Sequence, residues 1–415
     1  MEEKIIHIFL SLDEEIYLGK LYVGNIKGKD IFSIELSSDY LKSKYSKEKI
    51  DPEIENYIGR QYMSSDKTIF GFLSDASPDR WGRVLIRKKE SELAKKENRK
   101  PRQLSEVDYL LGVYDESRMG ALRLKLDYDG DFLASSKEEI VPPWVYLRTL
   151  EEYALRFDND EEIDDKWIKN LLLPGSSLGG ARPKATVYSP SGDLWIAKFP
   201  SKKDNYDVGA WEAVAYELAK ICGLNISDFK AEKFSKYGTT FLTKRFDRNG
   251  GKRVHFISFM TLLNAKDGES ENYSYIDLAS YIKSNSSRPN YDLKELWKRI
   301  VFNMSITNID DHLRNHGVLL RENGIELSPL YDINPTPYGD RLSLNITSND
   351  NIIDANNLLS TYMFYNLSKD EAIKLYNDVV TKVNLNWRKV AKSYNISNTS
   401  IEEMSQAFSL KEILK

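Results

Sequence analysis

Alternation of hydrophobic and polar residues runs through the first 36 positions of the chain. Two alternating segments, KIIHIFLSL and IYLGKLYV, are followed by DIFSIEL, and Gly and Asp residues lie between the runs. A period of two with turn residues between the runs is typical of β-strands joined by short connections. The pattern therefore predicts a small antiparallel sheet at the start of the chain.

The period changes to that of a helix at Asp79. Trp81, Val84 and Leu85 fall on one face of this predicted helix, and the charged residues that follow suit a solvated continuation. A second helix is predicted from Ser105 through Val113, after which GALRLKLDY returns to strand-like alternation. The N-terminal part of the chain is therefore expected to combine a sheet with helices.

The rest of the chain is predicted to contain strands first and then mainly helices. LWIAKFP and FLTKRFDR have the composition of strands, and a helical spacing runs from Gly209 to Ile221 between them. From about Ser258 onward the spacing is mainly helical, with an interruption between Thr307 and Pro337. These patterns predict an α+β protein in three parts: 1-155 as an N-terminal module, 156-250 as a sheet-containing part with a Gly-rich loop, and 251-415 as a helical lobe.

Composition limits the classes of protein to which the chain can belong. The 415 residues are 41% hydrophobic, and the net charge is −4 with a pI near 5.8, which argues against coating nucleic acid by charge alone. The single cysteine, Cys222, cannot form an internal disulfide, as is usual in a reducing compartment. The acidic start differs from a signal peptide, and no segment reaches the ~20 apolar residues of a membrane span. We expect a soluble cytoplasmic protein.

The segment NIDDHLRN, Asn308 to Asn315, carries the strongest chemical signal. Phosphoryl transfer to a hydroxyl needs a carboxylate that orients the nucleophile and accepts its proton, and it needs oxygen ligands for Mg²⁺. Kinase catalytic loops supply these groups as an Asp followed five residues later by an Asn. Asp310 and Asn315 have this spacing, whereas Asp311 is one residue too close to Asn315.

A second acid is needed to hold the metal on the phosphates, and Asp332 in LSPLYDINP supplies one after a predicted hairpin. An Asp-x4-Asn pair alone is more often an Asx-turn or a helix cap, and the second acid favours the catalytic interpretation.

His312 and His316 lie four residues apart, so a zinc site is an alternative. Leu313 stands where a zinc protease has its glutamate, and we therefore expect His312 to brace the loop by hydrogen bonds instead.

Lys198 follows the apolar strand of WIAKFP, where kinases place the lysine that neutralises the α- and β-phosphates. A glutamate on the next helix fixes that lysine, and both Glu212 and Glu217 are candidates. Upstream, GSSLGGARPKA has glycines that let backbone N–H groups approach a phosphate, together with the cations Arg182 and Lys184. It is neither a Walker A loop nor G-x-G-x-x-G, and a plain turn is the alternative.

The segments SSLGGARPKA, KRFDR, NIDDHLRN and LYDINP, in this order, resemble the signature of the HipA family of bacterial serine/threonine kinases, which are toxins of toxin–antitoxin pairs. SPDRWGRVLI resembles a segment of that family's N-terminal module, and LGKLYV resembles its first subdomain, so the resemblance covers nearly the whole chain. It implies a bilobal, protein-kinase-like α+β fold. It also implies ATP and Mg²⁺ as cofactors, and a Ser or Thr on a protein substrate such as an aminoacyl-tRNA synthetase.

The resemblance assigns roles to individual residues. It implies Asp310 as the base, Asn315 and Asp332 as metal ligands, and Lys198 as the phosphate clamp. Its remaining nucleotide contacts are implied for the loop, the hinge and one histidine, namely Gly179, Gly180, Ala181, Arg182, Lys184, Lys244, Arg245, Phe246 and His312. Two departures stand out: the hinge begins with Lys244 where an acid is frequent, and the loop contains GGARPK rather than G-A-Q-E-K.

In that family a serine of the Gly-rich loop is phosphorylated by the kinase itself, and the modified loop leaves the ATP site. Ser177 matches this serine and Ser176 is its neighbour. We expect Arg182 and Lys184 to leave with the loop.

The family also implies a HipB-like helix-turn-helix antitoxin as partner, and DNA indirectly through it. The basic run from Arg87 to Arg102 is expected to be a solvated helix face, with phosphate contact as the alternative. The rival to a kinase is a kinase-shaped corepressor that binds antitoxin and DNA while its ATP site is vestigial.

Overall fold

The computed structural model describes residues 3–133, 141–159, 161 and 182–413. Within these residues no helix is long and apolar enough to cross a membrane. Ser177, Gly179, Gly180 and Ala181, which carry predicted roles, lie outside the described residues.

Strands occur throughout the described residues, with the longest at the start of the chain. They are β1 (Lys4–Ser11), β2 (Glu15–Ile26), β3 (Lys29–Leu36), β4 (Arg60–Tyr62), β5 (Leu122–Lys125), β6 (Lys184–Tyr188), β7 (Leu194–Lys198), β8 (Phe229–Ser235), β9 (Gly238–Lys244), β10 (Arg248–Asn249), β11 (Lys252–Arg253), β12 (Phe256–Ser258), β13 (Gly317–Arg321) and β14 (Gly324–Leu327).

Helices also occur throughout the described residues, and the longest of them lies near the end of the chain, where the spacing predicts mainly helical structure. They are α1 (Ser38–Lys42), α2 (Gly71–Asp75), α3 (Arg80–Lys96), α4 (Glu106–Gly112), α5 (Leu147–Asp158), α6 (Val208–Ile221), α7 (Phe259–Leu262), α8 (Tyr275–Asn285), α9 (Pro289–Ser305), α10 (Ala355–Leu359), α11 (Lys369–Ser393) and α12 (Asn398–Glu403).

The chain divides into two compact units, each built from separated segments. The first unit contains 1–202, 242–257 and 319–322, and the second contains 203–241, 258–318 and 323–415. The three parts predicted from the sequence have different boundaries from these units, and they remain a prediction.

The first unit contains the predicted antiparallel sheet, with the strand order β4-β3-β2-β1-β5. In β1 the side chains of Ile6, Ile8 and Leu10 are fully buried, as the period of two requires of a sheet with one covered face. Strands β1 and β2 are antiparallel, and Lys4 lies opposite Val23. The prediction of an antiparallel sheet from residues 4 to 36 is therefore confirmed.

Helix α3 begins where the sequence predicts, because Asp79 caps it. The side chain of Asp79 accepts a hydrogen bond from the backbone N–H of Gly82, which satisfies one of the free donors of the first turn. Trp81 and Leu85 are buried, but Val84 is 37% exposed. The apolar face predicted from Trp81, Val84 and Leu85 is therefore covered only in part.

The first unit also contains the hairpin of β6 and β7. These strands are antiparallel, with Lys184 opposite Lys198 and Thr186 opposite Ile196. Just beyond β9, the backbone N–H of Arg245 donates to the carbonyl of Leu194 at the start of β7. The hairpin therefore brings the predicted phosphate clamp and the predicted hinge into one unit.

The second unit is mainly helical. Helix α9 packs against both α8 and α11, and α11 also packs against α6. The core between these helices contains fully buried large side chains such as Trp297 of α9, Tyr275 of α8 and Tyr376 of α11. The loop that follows α9 carries the predicted catalytic residues, so this core supports the candidate site.

Candidate active site

A hydrogen bond closes the predicted catalytic loop. The side-chain amide of Asn315 donates from Nδ2 to the backbone carbonyl of Asp310 at 2.9 Å. Within the loop, the N–H of His312 donates to the Asp310 carbonyl, and the N–H of Asn315 donates to the His312 carbonyl. The loop is therefore a compact turn, which leaves Asp310 exposed and Asn315 buried.

The neighbouring acid, Asp311, is in a different environment. Its side chain is 1% exposed, and its Oδ2 accepts hydrogen bonds from the Asn303 amide at 2.7 Å, from His316 Nε2 at 2.8 Å and from the Tyr275 hydroxyl. Burial, followed by the charge of Asp311, raises the pKa of Tyr275 well above its usual value, so the phenol stays protonated and donates. Asp311 is occupied by structural contacts within the protein, whereas Asp310 is exposed to solvent.

The segment that carries Asp332 lies against the catalytic loop. The hydroxyl of Tyr331 donates to the carbonyl of Arg314 at 2.5 Å, and the N–H of Asn334 donates to Asn308 Oδ1 at 3.4 Å. Asp332 itself has a φ of 55°, in the left-handed region that non-glycine residues seldom adopt. Such a conformation costs free energy and persists only where neighbouring contacts hold it, which is frequent at functional sites.

The backbone of Gly339 lies close to the side chain of Ile309, the residue before Asp310. Its φ is 150°, and a Cβ atom at this position would meet Ile309 Cγ2 at 2.7 Å. The hydroxyl of Ser343 donates to the carbonyl of Ile309 at 2.7 Å. Ile309 directly precedes Asp310, so both contacts fix the entry to the catalytic loop.

The donor set fits Mg²⁺, which prefers oxygen ligands. Asn315 Oδ1 is buried and has no hydrogen-bond partner among the described residues, while the amide nitrogen of the same group is bonded to Asp310. A buried polar atom without a partner is costly unless something outside the chain satisfies it. Asn315 thus presents an oxygen that is available to a metal ion.

The two histidines of the loop make different contacts. His312 braces the loop through its backbone N–H and carbonyl, as stated above, while its Nδ1 is buried without a partner among the described residues. The side-chain hydrogen bond comes from His316, which is fully buried and bonded to Asp311. Among all the residues that the structure describes, no group of three or more His, Cys, Asp or Glu side chains could hold a metal ion.

In the first unit, Lys184 is part of a buried ion pair. Its Nζ lies 2.9 Å from Asp79 Oδ2, and the side chains are 1% and 3% exposed. Trp81 Nε1 donates to the backbone carbonyl of Lys184 at 3.1 Å. Residues at the start of α3 therefore contact both the side chain and the backbone of Lys184. The expectation that Lys184 leaves with the Gly-rich loop is wrong, because a buried ion pair and a strand register fix it. A phosphate contact of Lys184 stays a prediction.

Lys198 lies directly opposite Lys184 in the β6–β7 hairpin. Opposed residues of an antiparallel pair direct their side chains to the same face of the sheet, and like charges there repel. The carboxylate of Asp79 offsets the charge of Lys184, which makes two lysines on one face compatible with the fold. Arg182 donates from Nη2 to the Phe199 carbonyl at 3.3 Å.

The predicted hinge is anchored within the first unit. Lys244 Nζ pairs with Asp193 Oδ2 at 3.0 Å, and Phe246 contacts the ring of Phe256. The Arg245 side chain is fully buried and donates to Asp247 and to the carbonyl of Ser117. An adenine contact at Arg245 would therefore have to use its backbone.

Asp247 is the centre of a buried ionic cluster beside the hinge. Burial alone would raise its pKa, but Arg245 and Arg248 hold the pKa well below its usual value. Its Oδ2 also accepts a hydrogen bond from the N–H of Gly120 at 2.7 Å. The hinge is thereby tied to the segment that precedes β5.

Lys198 belongs to the first unit, and both candidate glutamates belong to the second. Glu212 is 2% exposed and Glu217 is half-buried. The choice between these glutamates as the residue that fixes Lys198 therefore stays a prediction.

Comparison with known proteins identifies the family. The model of the HipA-like C-terminal domain matches residues 176–387, just over half of the chain. The chain belongs to the HipA-like family. The match includes the predicted catalytic loop, the Asp332 segment and Lys198, so the resemblance seen in the motifs is confirmed.

The fold is confirmed by a solved structure from Shewanella oneidensis, a complex of the toxin–antitoxin proteins HipA and HipB with operator DNA. Its HipA-like chain matches with a TM-score of 0.66 and 16% identity, over 97% of this chain and 95% of that one. The predicted α+β, HipA-like kinase fold is therefore correct.

Two Sinorhizobium fredii proteins, named "Putative kinase Y4mE" and "Putative kinase Y4dM", are 28% and 26% identical to the chain over 182 and 191 residues. These matches cover 38% and 42% of this chain. The chain spans 41% and 42% of the length of the two relatives.

The basic run of this HipA-like chain is largely paired with its own acids. Lys95 lies 2.9 Å from Glu92, and Arg99 lies 2.5 Å from Glu90. Arg102 is also within 3.6 Å of Glu90. These ion pairs favour the solvated helix face over a phosphate-binding surface.

The sequence interpretation missed the residues that support the loop. Tyr275 and Asn303 lie outside every quoted motif, and Asn308 begins NIDDHLRN without an assigned role; all three act through tertiary contacts with Asp311, with Asn334 or with one another. Asp79 was available in the quoted segment SPDRWGR, but its partner Lys184 lies more than one hundred residues away.

Proposed function

We propose that this HipA-like protein is a serine/threonine protein kinase that uses Mg·ATP and acts as the toxin of a toxin–antitoxin pair. The observation that carries the proposal is the closed loop in which Asp310 is exposed while Asn315 offers a buried, unpartnered oxygen. Membership of the HipA-like family supports it.

Asp310 is assigned the role of base, because an exposed carboxylate at a fixed turn can orient the hydroxyl of a protein substrate and accept its proton. Asn315 and Asp332 are assigned to Mg²⁺, which when bound neutralises charge on the transferred phosphoryl group. Lys198 is assigned to the phosphates, with Glu212 as its counter-charge. Arg182, Lys184 and the hinge Lys244, Arg245 and Phe246 remain proposed nucleotide contacts.

The substrate is proposed to be a Ser or Thr hydroxyl of a protein, with an aminoacyl-tRNA synthetase as the first candidate. The kinase is also proposed to phosphorylate itself on Ser177. The partner is proposed to be a HipB-like helix-turn-helix antitoxin, through which the protein meets DNA indirectly. The support for the partner is the fold shared with a HipA chain solved in a HipA–HipB–operator complex.

The test is phosphoryl transfer by the purified protein with radiolabelled ATP and Mg²⁺, comparing wild type with Asp310→Asn. We expect incorporation of label into serine by the wild type, and a loss of about 10² to 10⁴ in rate in the variant, because a positioned base is removed. ATP binding serves as the internal control and should be retained. Near-wild-type turnover in Asp310→Asn would remove Asp310 from the mechanism.

A wild-type protein that binds the antitoxin and DNA but shows no turnover would instead support the corepressor alternative. The exposed Asp310 and the free oxygen of Asn315 favour the enzyme, since a vestigial site has no need of either.

A further inference from the structure

The loop from Asp310 to His316 is closed twice at the same spacing. The first closure joins Asp310 and Asn315 through the 2.9 Å bond from the Asn315 amide. The second joins Asp311 and His316 at 2.8 Å, one residue further along at both ends. The second closure therefore fixes the residue after the proposed base and the residue after the proposed metal ligand.

The second closure is anchored to the helical core. Tyr275 at the start of α8 and Asn303 near the end of α9 donate to the same oxygen of Asp311 that receives His316. All four side chains are buried. Three donors on one carboxylate oxygen from two helices and the loop itself leave little freedom to the backbone at Asp311.

The network continues to the segment of the proposed metal ligand Asp332. Asn303 Oδ1 accepts from the Asn308 amide at 3.2 Å, and Asn308 Oδ1 accepts from the N–H of Asn334 at 3.4 Å. Asn303 therefore contacts Asp311 with its nitrogen and Asn308 with its oxygen. A continuous chain of side-chain contacts joins the catalytic loop to the segment two residues beyond Asp332.

We propose that Asp311 is the positioning residue of this active site, acting through Tyr275, Asn303 and His316 to hold Asp310, Asn315 and the Asp332 segment in their relative places. The inference rests on the proposed kinase function. Asp311 touches neither nucleotide nor substrate in this role, so its loss should lower the rate of the chemical step more than it weakens the binding of Mg·ATP.

The chain offers a matched control in Asp292. This carboxylate is also fully buried and accepts three hydrogen bonds, from Ser286 Oγ at 2.7 Å, the N–H of Leu327 at 3.0 Å and Arg288 Nε at 3.1 Å. None of its partners belongs to the catalytic loop, and the one that comes nearest to Asp332 in sequence is the backbone N–H of Leu327 at the end of β14. Asp292→Asn therefore reports the cost of altering a buried carboxylate of the same unit without the positioning effect.

The experiment compares kcat and the KM for ATP in Asp311→Asn, Asp292→Asn and wild type, each normalised to the folded fraction. We expect kcat to fall about 10- to 100-fold in Asp311→Asn, as is usual when a group that orients catalytic ligands is lost. The KM for ATP should rise by a smaller factor than that by which kcat falls, and Asp292→Asn should keep the wild-type kcat. A wild-type kcat in Asp311→Asn, or a rise in KM alone, overturns the proposal.

Two further measurements keep the test decisive. If Asp311→Asn does not fold, Tyr275→Phe removes one donor and should lower kcat about threefold or more, whereas an unchanged kcat argues against the network. Amide hydrogen exchange over residues 306–317 is independent of activity and should be faster in Asp311→Asn than in Asp292→Asn. If the wild type has no turnover, the proposed function fails, and this exchange difference alone decides whether Asp311 holds the loop.

Discussion

Asp79 and Lys184 form an ion pair of 2.9 Å between the first turn of α3 and the start of β6, with both side chains almost completely buried. Breaking a buried pair by removing one partner leaves an uncompensated charge, which typically costs about 3–5 kcal/mol. Asp79 also caps α3 through the N–H of Gly82, so one carboxylate serves two local structures. The pair therefore connects the N-terminal module to the strand that follows the Gly-rich loop.

Lys184→Met should lower the free energy of unfolding by about 3–5 kcal/mol, because Asp79 is then buried without its cation. Lys382→Met is the matched control, since Lys382 pairs with Asp378 on the surface of α11 and such pairs contribute little. Urea denaturation followed by fluorescence measures both variants. Equal stability of Lys184→Met and Lys382→Met would contradict the importance of the buried pair.

Asp332→Ala should weaken the binding of Mg·ATP far more than the binding of ATP without metal, because Asp332 is proposed to contact the ion rather than the nucleotide. Calorimetric titrations of ATP with Mg²⁺ and with EDTA make the comparison. Asp340→Ala, an exposed acid further along the same segment, is the control and should bind as wild type does. Equal losses in both titrations would remove Asp332 from the metal site.

Ser177→Ala should abolish a time-dependent loss of ATP affinity. A phosphate on the Gly-rich loop adds roughly −1.5 to −2 charges beside the γ-phosphate and the acidic metal ligands, so the modified loop should be repelled from the nucleotide. Phosphopeptide mapping after incubation with Mg·ATP identifies the site, with Ser176→Ala as the control that still becomes modified. An active enzyme whose loop stays unmodified would rule out this self-inhibition.

Lowering the pH from 7 toward 4 should destabilise the first unit through His255. This side chain is fully buried, and burial lowers its pKa from 6.5 to about 4. The unfolded chain then binds the proton more readily than the folded one between these two values, so stability is complete above pH 6.5 and falls as the pH decreases.

His255→Leu removes this linkage and should give a weaker dependence of the unfolding free energy on pH between 6.5 and 4. Denaturation curves at a series of pH values test it, and His7→Leu serves as the control because His7 is less buried than His255. An identical pH dependence in wild type and His255→Leu would show that His255 does not titrate in this way.

Local periodicity was sufficient to predict the opening sheet and the helices that begin near Asp79, Ser105 and Gly209, because one face of each is buried and the pattern records it. The Asp310–Asn315 spacing predicted a catalytic loop, and a hydrogen bond joins these two residues in the structure. The role of His316 could not be predicted, since it depends on Asp311 accepting from α8 and α9 as well. Composition and spacing record which residues are near in sequence, whereas these contacts join elements that only folding brings together.

The first unit is assembled from 1–202, 242–257 and 319–322, and this discontinuity has a consequence for biosynthesis. Its last segment is synthesised only after α6, α8 and α9 are complete, so the unit that contains the N-terminal sheet stays incomplete until late in translation. Domains generally fold as whole units, and an incomplete one exposes apolar surface. A recombinant fragment that stops before residue 319, or one that begins at residue 176, divides this unit and should be expressed as aggregated protein.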